Sequence, residues 1–249
     1  MINFFKNNLK FLTFLVIFGL IGGYFTALYG IEMLSPENIE DAISQVGSIE
    51  ALIAITTLQS LSYAVILGLI GKAIAEKIGL PLFSSIEIKP ILSVLAISVF
   101  GGAFFILGDL YLFGGFNEVI RDSYLVKPTL NYIIASVTYG GVIEEVITRL
   151  FLMSLLAFIF VKLSGMDYPS DKQLVIANLI VAFIFAAGHL PATAQSTGLD
   201  AIIVIRCFLM NGAYGLAFGR MYRKYGIQYA MLAHAGVHIV SKMIWILFI

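Results

Sequence analysis

The sequence predicts an all-α, polytopic membrane protein with about seven transmembrane helices, and three observations carry that prediction. Of the 249 residues, 60% are hydrophobic and 12% charged, with a mean hydropathy of +0.97, far from the composition of a soluble domain. Apolar runs of about 18 residues or more recur along the chain, each long enough to cross about 30 Å of hydrocarbon as a helix. Lysine and arginine alternate between rich and poor connections, as cytoplasmic and external loops do.

The first run, near 9–30, follows MINFFKNNLK and so looks at first like a secretory leader. It continues to Gly30 without a small-x-small cleavage site, and is read as a retained span. After it, IEMLSPENIEDAISQVGSIE is an acidic connection that fits a surface turn or an amphipathic interfacial segment. The second and third runs lie near 51–74 and 90–114. The fourth, 130–163, is longer than one crossing needs, so it is tilted, kinked or divided, with eight helices as the alternative count. Gly140 and Gly141 within it mark a break or a close helix contact. A fifth run, 173–190, stops beside Pro191. The sixth, 199–221, carries Gly215 and Gly219 in the GxxxG spacing of close helix packing, and the seventh covers 227–249.

With the N-terminus inside, Lys6, Lys10, Lys72, Lys77, Lys89, Lys162, Lys172, Arg220, Arg223 and Lys224 fall on the inner side, against Arg121 and Lys127 outside. That bias predicts a cytoplasmic N-terminus and an external C-terminus, and the expected location is the plasma membrane. A net charge of zero, without a basic tract, excludes a nucleic-acid partner and leaves the lipid bilayer as the chain's surroundings. The single Cys207 excludes an intrachain disulfide and a cysteine metal cage, and reads as a small buried residue. No linker or fixed-period repeat divides the chain, so residues 1–249 are expected to form one transmembrane domain.

Glu144, Glu145, Arg149, His189, Arg206, His234, His238 and Lys242 then remain inside apolar runs. A charged side chain there costs about 2.5–3.5 kcal/mol on insertion scales, so each needs a partner or a use. Glu145 and Arg149 are four residues apart and share a helix face, where they can pair. Glu144, rotated by about 100° on an α-helix, must look elsewhere, toward another helix or a wet cavity. His234 and His238 share a face of the last helix about 6 Å apart. Arg206 pairs with a carboxylate or faces a cavity, Lys242 snorkels to the outer end, and Asn211 is polar glue between helices, with substrate contact as the alternative. Trp245 suits the interfacial belt.

Any one of these histidines alone reads as an interhelical hydrogen-bond partner. Together they fit more demanding chemistry. A carboxylate and an imidazole can hold and deprotonate a water while two further imidazoles donate to the oxyanion of a tetrahedral intermediate, as peptide hydrolysis requires. The same residue types bind zinc, and acid–histidine chains also carry protons in pumps and transporters.

The sequences Glu144-Glu145-x-x-x-Arg149, then Phe185-x-x-x-His189, then His234 four residues before a polar side chain, resemble the three ordered motifs of the CAAX-protease and bacteriocin-processing family of intramembrane endopeptidases, also called CPBP or ABI proteins, in its CAAX prenyl protease 2-like branch. The resemblance covers about 130–240, including GLAFGRMYRKYG before the last motif. It implies a helical membrane fold with the motif residues lining a cavity. It further implies Glu144 and His189 as the water-activating pair, His234 and His238 as oxyanion donors, and Glu145 and Arg149 as their support. The implied partner is a membrane-associated peptide or protein, either a prenylated CAAX protein or a leader peptide. No cofactor is required on this reading, with zinc as the alternative. A non-catalytic scaffold or bacteriocin-immunity protein and a proton-coupled transporter are the competing functions. His238 stands where Asn or Asp is more common, and Thr148 to Leu150 replaces a bulky-Arg-Gly run. On straight helices, His234 would lie about 12 Å and His189 about 24 Å from the cytoplasmic ends of their spans, a mismatch that tilting or staggering must remove.

Overall fold

The computed structural model describes residues 2–83 and 85–249, with side chains from residue 8 onward. Lys6, counted above on the inner side, therefore falls outside the described side chains. Among the described residues seven helices are long and apolar enough to cross a membrane: Asn8–Met33, Ile49–Lys77, Ile88–Phe113, Leu130–Ser164, Asp171–Thr197, Ala201–Tyr225 and Ile227–Phe248. They are called the first to seventh spans below. No strand occurs among the described residues, and the chain is an integral membrane protein of the all-α class.

Local chemistry explains where the spans begin. Side-chain oxygens of Ser48, Thr129 and Asp200 accept from the backbone N–H three residues on, opening the second, fourth and sixth spans. Ser170 and Gln173 form a reciprocal capping box at the start of the fifth, which satisfies donors that a helix N-terminus otherwise leaves bare in an apolar setting. The acidic connection after the first span is itself a helix, Pro36–Val46, with no buried residue, as an amphipathic interfacial segment requires. Thr129 and Asn131 donate to the two carboxylate oxygens of Glu32 at 2.6 and 2.7 Å, tying the end of the first span to the start of the fourth.

The sixth and seventh spans are joined through Gly226 alone. Its φ of 119° suits glycine, and a Cβ there would lie 2.2 Å from the Leu82 carbonyl oxygen. Ile227 donates its backbone N–H to that same oxygen at 3.2 Å, so one residue turns the chain and docks it to the connection after the second span.

The fourth span is central to the bundle. It packs against the first, second, fifth, sixth and seventh. Its extra length is neither a break nor a second crossing: the helix is continuous, with π-helical turns over Ser136–Glu144 and Val146–Met153. A π turn closes i→i+5 hydrogen bonds and holds more residues than an α turn, so it changes the angle between successive side chains, and such turns recur at functional sites. Here they flank Glu145. Gly141 permits the close contact expected of it, since a Cβ there would meet Ala235 Cα at 2.9 Å. Gly215 does the same between the fifth and sixth spans, with Ala182 Cα at 3.0 Å.

Candidate active site

Glu145 and Arg149 form the expected pair on the fourth span. Arg149 Nη1 donates to Glu145 Oε1 at 2.9 Å, and both side chains are fully buried. The guanidinium also donates to Thr148 Oγ1 at 2.7 Å and to the Gly215 carbonyl at 3.1 Å, and lies 4.4 Å from the centre of the Phe185 ring. Thr148 in turn donates its hydroxyl to the Glu144 carbonyl. An arginine so enclosed needs its hydrogen bonds, because a buried charge without partners costs several kcal/mol.

The same Glu145 Oε1 accepts from His234 Nδ1 at 2.8 Å. A carboxylate oxygen has no proton to give, so His234 carries its hydrogen on Nδ1 and turns Nε2 away from Glu145. Its ring is sandwiched between Phe218, with centroids 4.4 Å apart, and His238, at 5.0 Å. The stacking confirms that the two histidines share one face of the seventh span.

His189 closes the α-helical part of the fifth span, two residues before Pro191, and the chain then continues as the short helix Leu190–Thr197. Its Nδ1 donates to the Phe185 carbonyl at 2.8 Å, because a carbonyl can only accept; Nε2 is left as a lone pair. That Nε2 lies 3.9 Å from Glu144 Oε2, with side-chain exposures of 32% and 23%. Glu144 and Glu145 are neighbours in sequence, yet one is fully buried and the other opens outward toward a histidine.

Gly140, one turn before Glu144, completes the constellation. A Cβ at this position would lie 3.0 Å from His238 Nε2 and 4.0 Å from His234 Nε2. Both imidazole edges therefore converge on a patch of bare backbone. The depth mismatch of straight spans disappears: Phe185, one turn before His189, sits edge-on to His189 at 4.6 Å and to His234 at 5.9 Å. All six residues singled out from the sequence belong to this neighbourhood, with Glu144 facing His189 and Glu145 joining Arg149 to His234. Among the described residues no three His, Cys, Asp or Glu side chains gather as metal ligands.

Three positions correct the sequence reading. Lys242 does not snorkel. It is 4% exposed, with its Nζ 3.4 Å from His238 Nδ1 and 4.2 Å from the Tyr132 ring centre; helical side chains lean toward the N-terminus, which here is toward His238. Asp109, passed over within the third apolar run, is fully buried and accepts from Arg206 Nε at 2.6 Å and Nη2 at 2.5 Å. Arg206 thus pairs with a carboxylate. Asn211 donates to the Cys207 carbonyl one turn back at 3.0 Å, a bond within its own helix rather than between helices. Cys207 is buried, as expected.

Comparison with known proteins agrees with the motif resemblance: residues 126–240 match the Rce1-like family model, described as type II CAAX prenyl endopeptidase Rce1-like. No curated protein and no solved structure matches the chain. The matched segment, just under half of the chain, holds every residue of the candidate site.

Proposed function

On the premise that residues 126–240 belong to the Rce1-like family, we propose that this membrane protein hydrolyses peptide bonds of membrane-associated substrates, using a water held between Glu144 and His189. The observation that carries this reading is the pair of hydrogen-bond acceptors facing each other across 3.9 Å, Glu144 Oε2 and His189 Nε2, both partly open. Neither can satisfy the other without a proton. A water donating one hydrogen to each satisfies both and keeps an oxygen lone pair for attack.

The step follows. Glu144 takes a proton as the water oxygen bonds to the scissile carbonyl carbon, and the carbonyl π electrons move to its oxygen. That oxyanion forms beside the Gly140 backbone, where His238 and His234 present their Nε2 edges. Collapse of the intermediate breaks the carbon–nitrogen bond, and Glu144 returns its proton to the leaving amine. His234, with Nδ1–H committed to Glu145, donates from Nε2 only as an imidazolium. Glu145, Arg149 and Thr148 act by holding His234 and the Glu144 backbone in place.

The substrate class follows from the setting. A site inside seven apolar spans meets peptides that are themselves membrane-anchored, and the family match favours prenylated CAAX proteins over leader peptides. The test is purified protein in lipid vesicles with both kinds of peptide and mass spectrometry of the products. Cleavage of one peptide bond that is lost in Glu144→Ala and in His189→Ala is the expected result. Cleavage unchanged in either variant overturns the proposal, and activity that is lost on chelation and restored by stoichiometric zinc overturns the metal-free step.

A further inference from the structure

We propose that Lys242 is a positioning residue that holds His238 in the Nε2–H form, making this ring a neutral hydrogen-bond donor at the Gly140 patch. The three histidines of the chain are not held alike. His189 and His234 each give the Nδ1 hydrogen to an oxygen that can only accept, the Phe185 carbonyl and Glu145 Oε1. Their Nε2 atoms are lone pairs when the rings are neutral. His238 has the opposite partner: its Nδ1 faces Lys242 Nζ at 3.4 Å. In its charged form Lys242 has three hydrogens and no lone pair, and against that ammonium Nδ1 accepts and the ring hydrogen sits on Nε2.

The surroundings of Lys242 suit this role and no other visible one. Its side chain is nearly inaccessible, and among the described residues it makes no ion pair with a carboxylate. The face of Tyr132 supports the cation at 4.2 Å, and Tyr29 stacks on Tyr132, with centroids 4.5 Å apart. A buried cation supported only by an aromatic face and one imidazole nitrogen is expensive to retain. Its polar contact with Nδ1 sets which edge of His238 bears hydrogen. Among the described residues no other side chain is bonded to that ring, and Ser241 bonds the His238 backbone carbonyl. The consequence for catalysis rests on the proposed peptidase reading: of the two imidazoles at the oxyanion patch, His238 donates while neutral, whereas His234 must first be protonated.

The experiment reads the tautomer directly. Protein labelled with 15N-histidine in lipid nanodiscs is compared as wild type, Lys242→Met and Lys242→Arg by long-range 1H–15N correlation, with thermal melting and peptidase kinetics on the same samples. The expected wild-type spectrum has His238 as Nε2–H. Lys242→Met moves His238 toward Nδ1–H and lowers kcat by about tenfold with KM within about twofold; Lys242→Arg, whose guanidinium also only donates, keeps the wild-type tautomer. A wild-type His238 found as Nδ1–H overturns the proposal, as does an unchanged Nε2–H signal in folded Lys242→Met. If Lys242→Met does not fold, the wild-type spectrum alone decides. Because that spectrum needs no substrate, a protein that cleaves no peptide sinks the proposed function while the tautomer is still read.

Discussion

Two carboxylate–arginine clusters lie inside the apolar body of this protein, and they finish their hydrogen bonding differently. At the first, Asp109 on the third span takes both Arg206 donors, and its Oδ2 also accepts from Tyr124 at 2.6 Å. Burial, and then the Asp109 charge beside it, pushes the Tyr124 phenol well above its ordinary pKa, so it remains a donor. The Tyr124 carbonyl accepts from the Trp245 indole at 3.0 Å, and Lys127 donates to the carbonyls of Trp245 and Ile246 at 3.1 and 3.3 Å. These bonds fasten the third, sixth and seventh spans to the connection that holds Tyr124 and Lys127. At the second cluster, Glu145 and Arg149 are equally enclosed, but Glu144 and His189 face each other as two acceptors. A closed ionic cluster holds helices together; an open one beside it has groups left for chemistry.

The largest expected effect separates the two. Glu144→Gln keeps shape and removes the base, so kcat should fall by about 10³-fold, or about 4 kcal/mol of barrier, with a melting temperature close to wild type. Asp109→Asn should do the reverse. Asp109 is fully buried while Arg206 is partly exposed, so weakening the pair costs less than the about 3–5 kcal/mol of a wholly enclosed one, and the melting temperature should fall clearly while kcat per folded molecule stays within about threefold. Melting curves and active-site-normalised kinetics on both variants decide the matter. If Asp109→Asn lost kcat without losing stability, the Asp109–Arg206 cluster would be part of the chemistry.

Gly140→Ala comes next. Its methyl would stand 3.0 Å from His238 Nε2, in the space where the oxyanion is proposed to form. Loss of one oxyanion donor costs about 10²–10³ in kcat, and a fall of about 100-fold with little change in KM is expected from steady-state kinetics. A fully active Gly140→Ala would move the oxyanion site elsewhere.

What was legible in the sequence divides along the same line, between local and distant contacts. Span number, the Glu145–Arg149 pair and the shared face of His234 and His238 follow from helical spacing within one segment, and the structure agrees with each. Asp109 and Arg206 are 97 residues apart, so no spacing rule connects them, and a single acid near the end of an apolar run passed as loop. Lys242 was misread for a related reason. Closeness to the end of its span suggested an escape route for the charge, whereas the lean of helical side chains aims it back one turn at His238. Depth counted at 1.5 Å per residue separated His189 from His234 because straight, level spans were assumed. The π-helical turns of the fourth span, which flank Glu145, leave no periodic mark in a run that is apolar almost throughout.

Thr148→Val should have the smallest effect and tests how far the closed part of the second cluster steadies the open part. The hydroxyl accepts from Arg149 Nη1 and donates to the Glu144 carbonyl, so it links the buried ion pair to the backbone of the proposed base. Valine has nearly the same shape and leaves both groups without this partner. Arg149 keeps Glu145 and the Gly215 carbonyl, which limits the loss of stability to about 1–2 kcal/mol, the range for one buried hydrogen bond. If Glu144 is positioned through this link, kcat should drop by about three- to tenfold beyond the effect on folding, and Thr148→Ser, which restores the hydroxyl, should recover most of it. A Thr148→Val protein that is less stable but has wild-type kcat would show that the two parts of the cluster are independent, and that Glu144 is held by its helix alone.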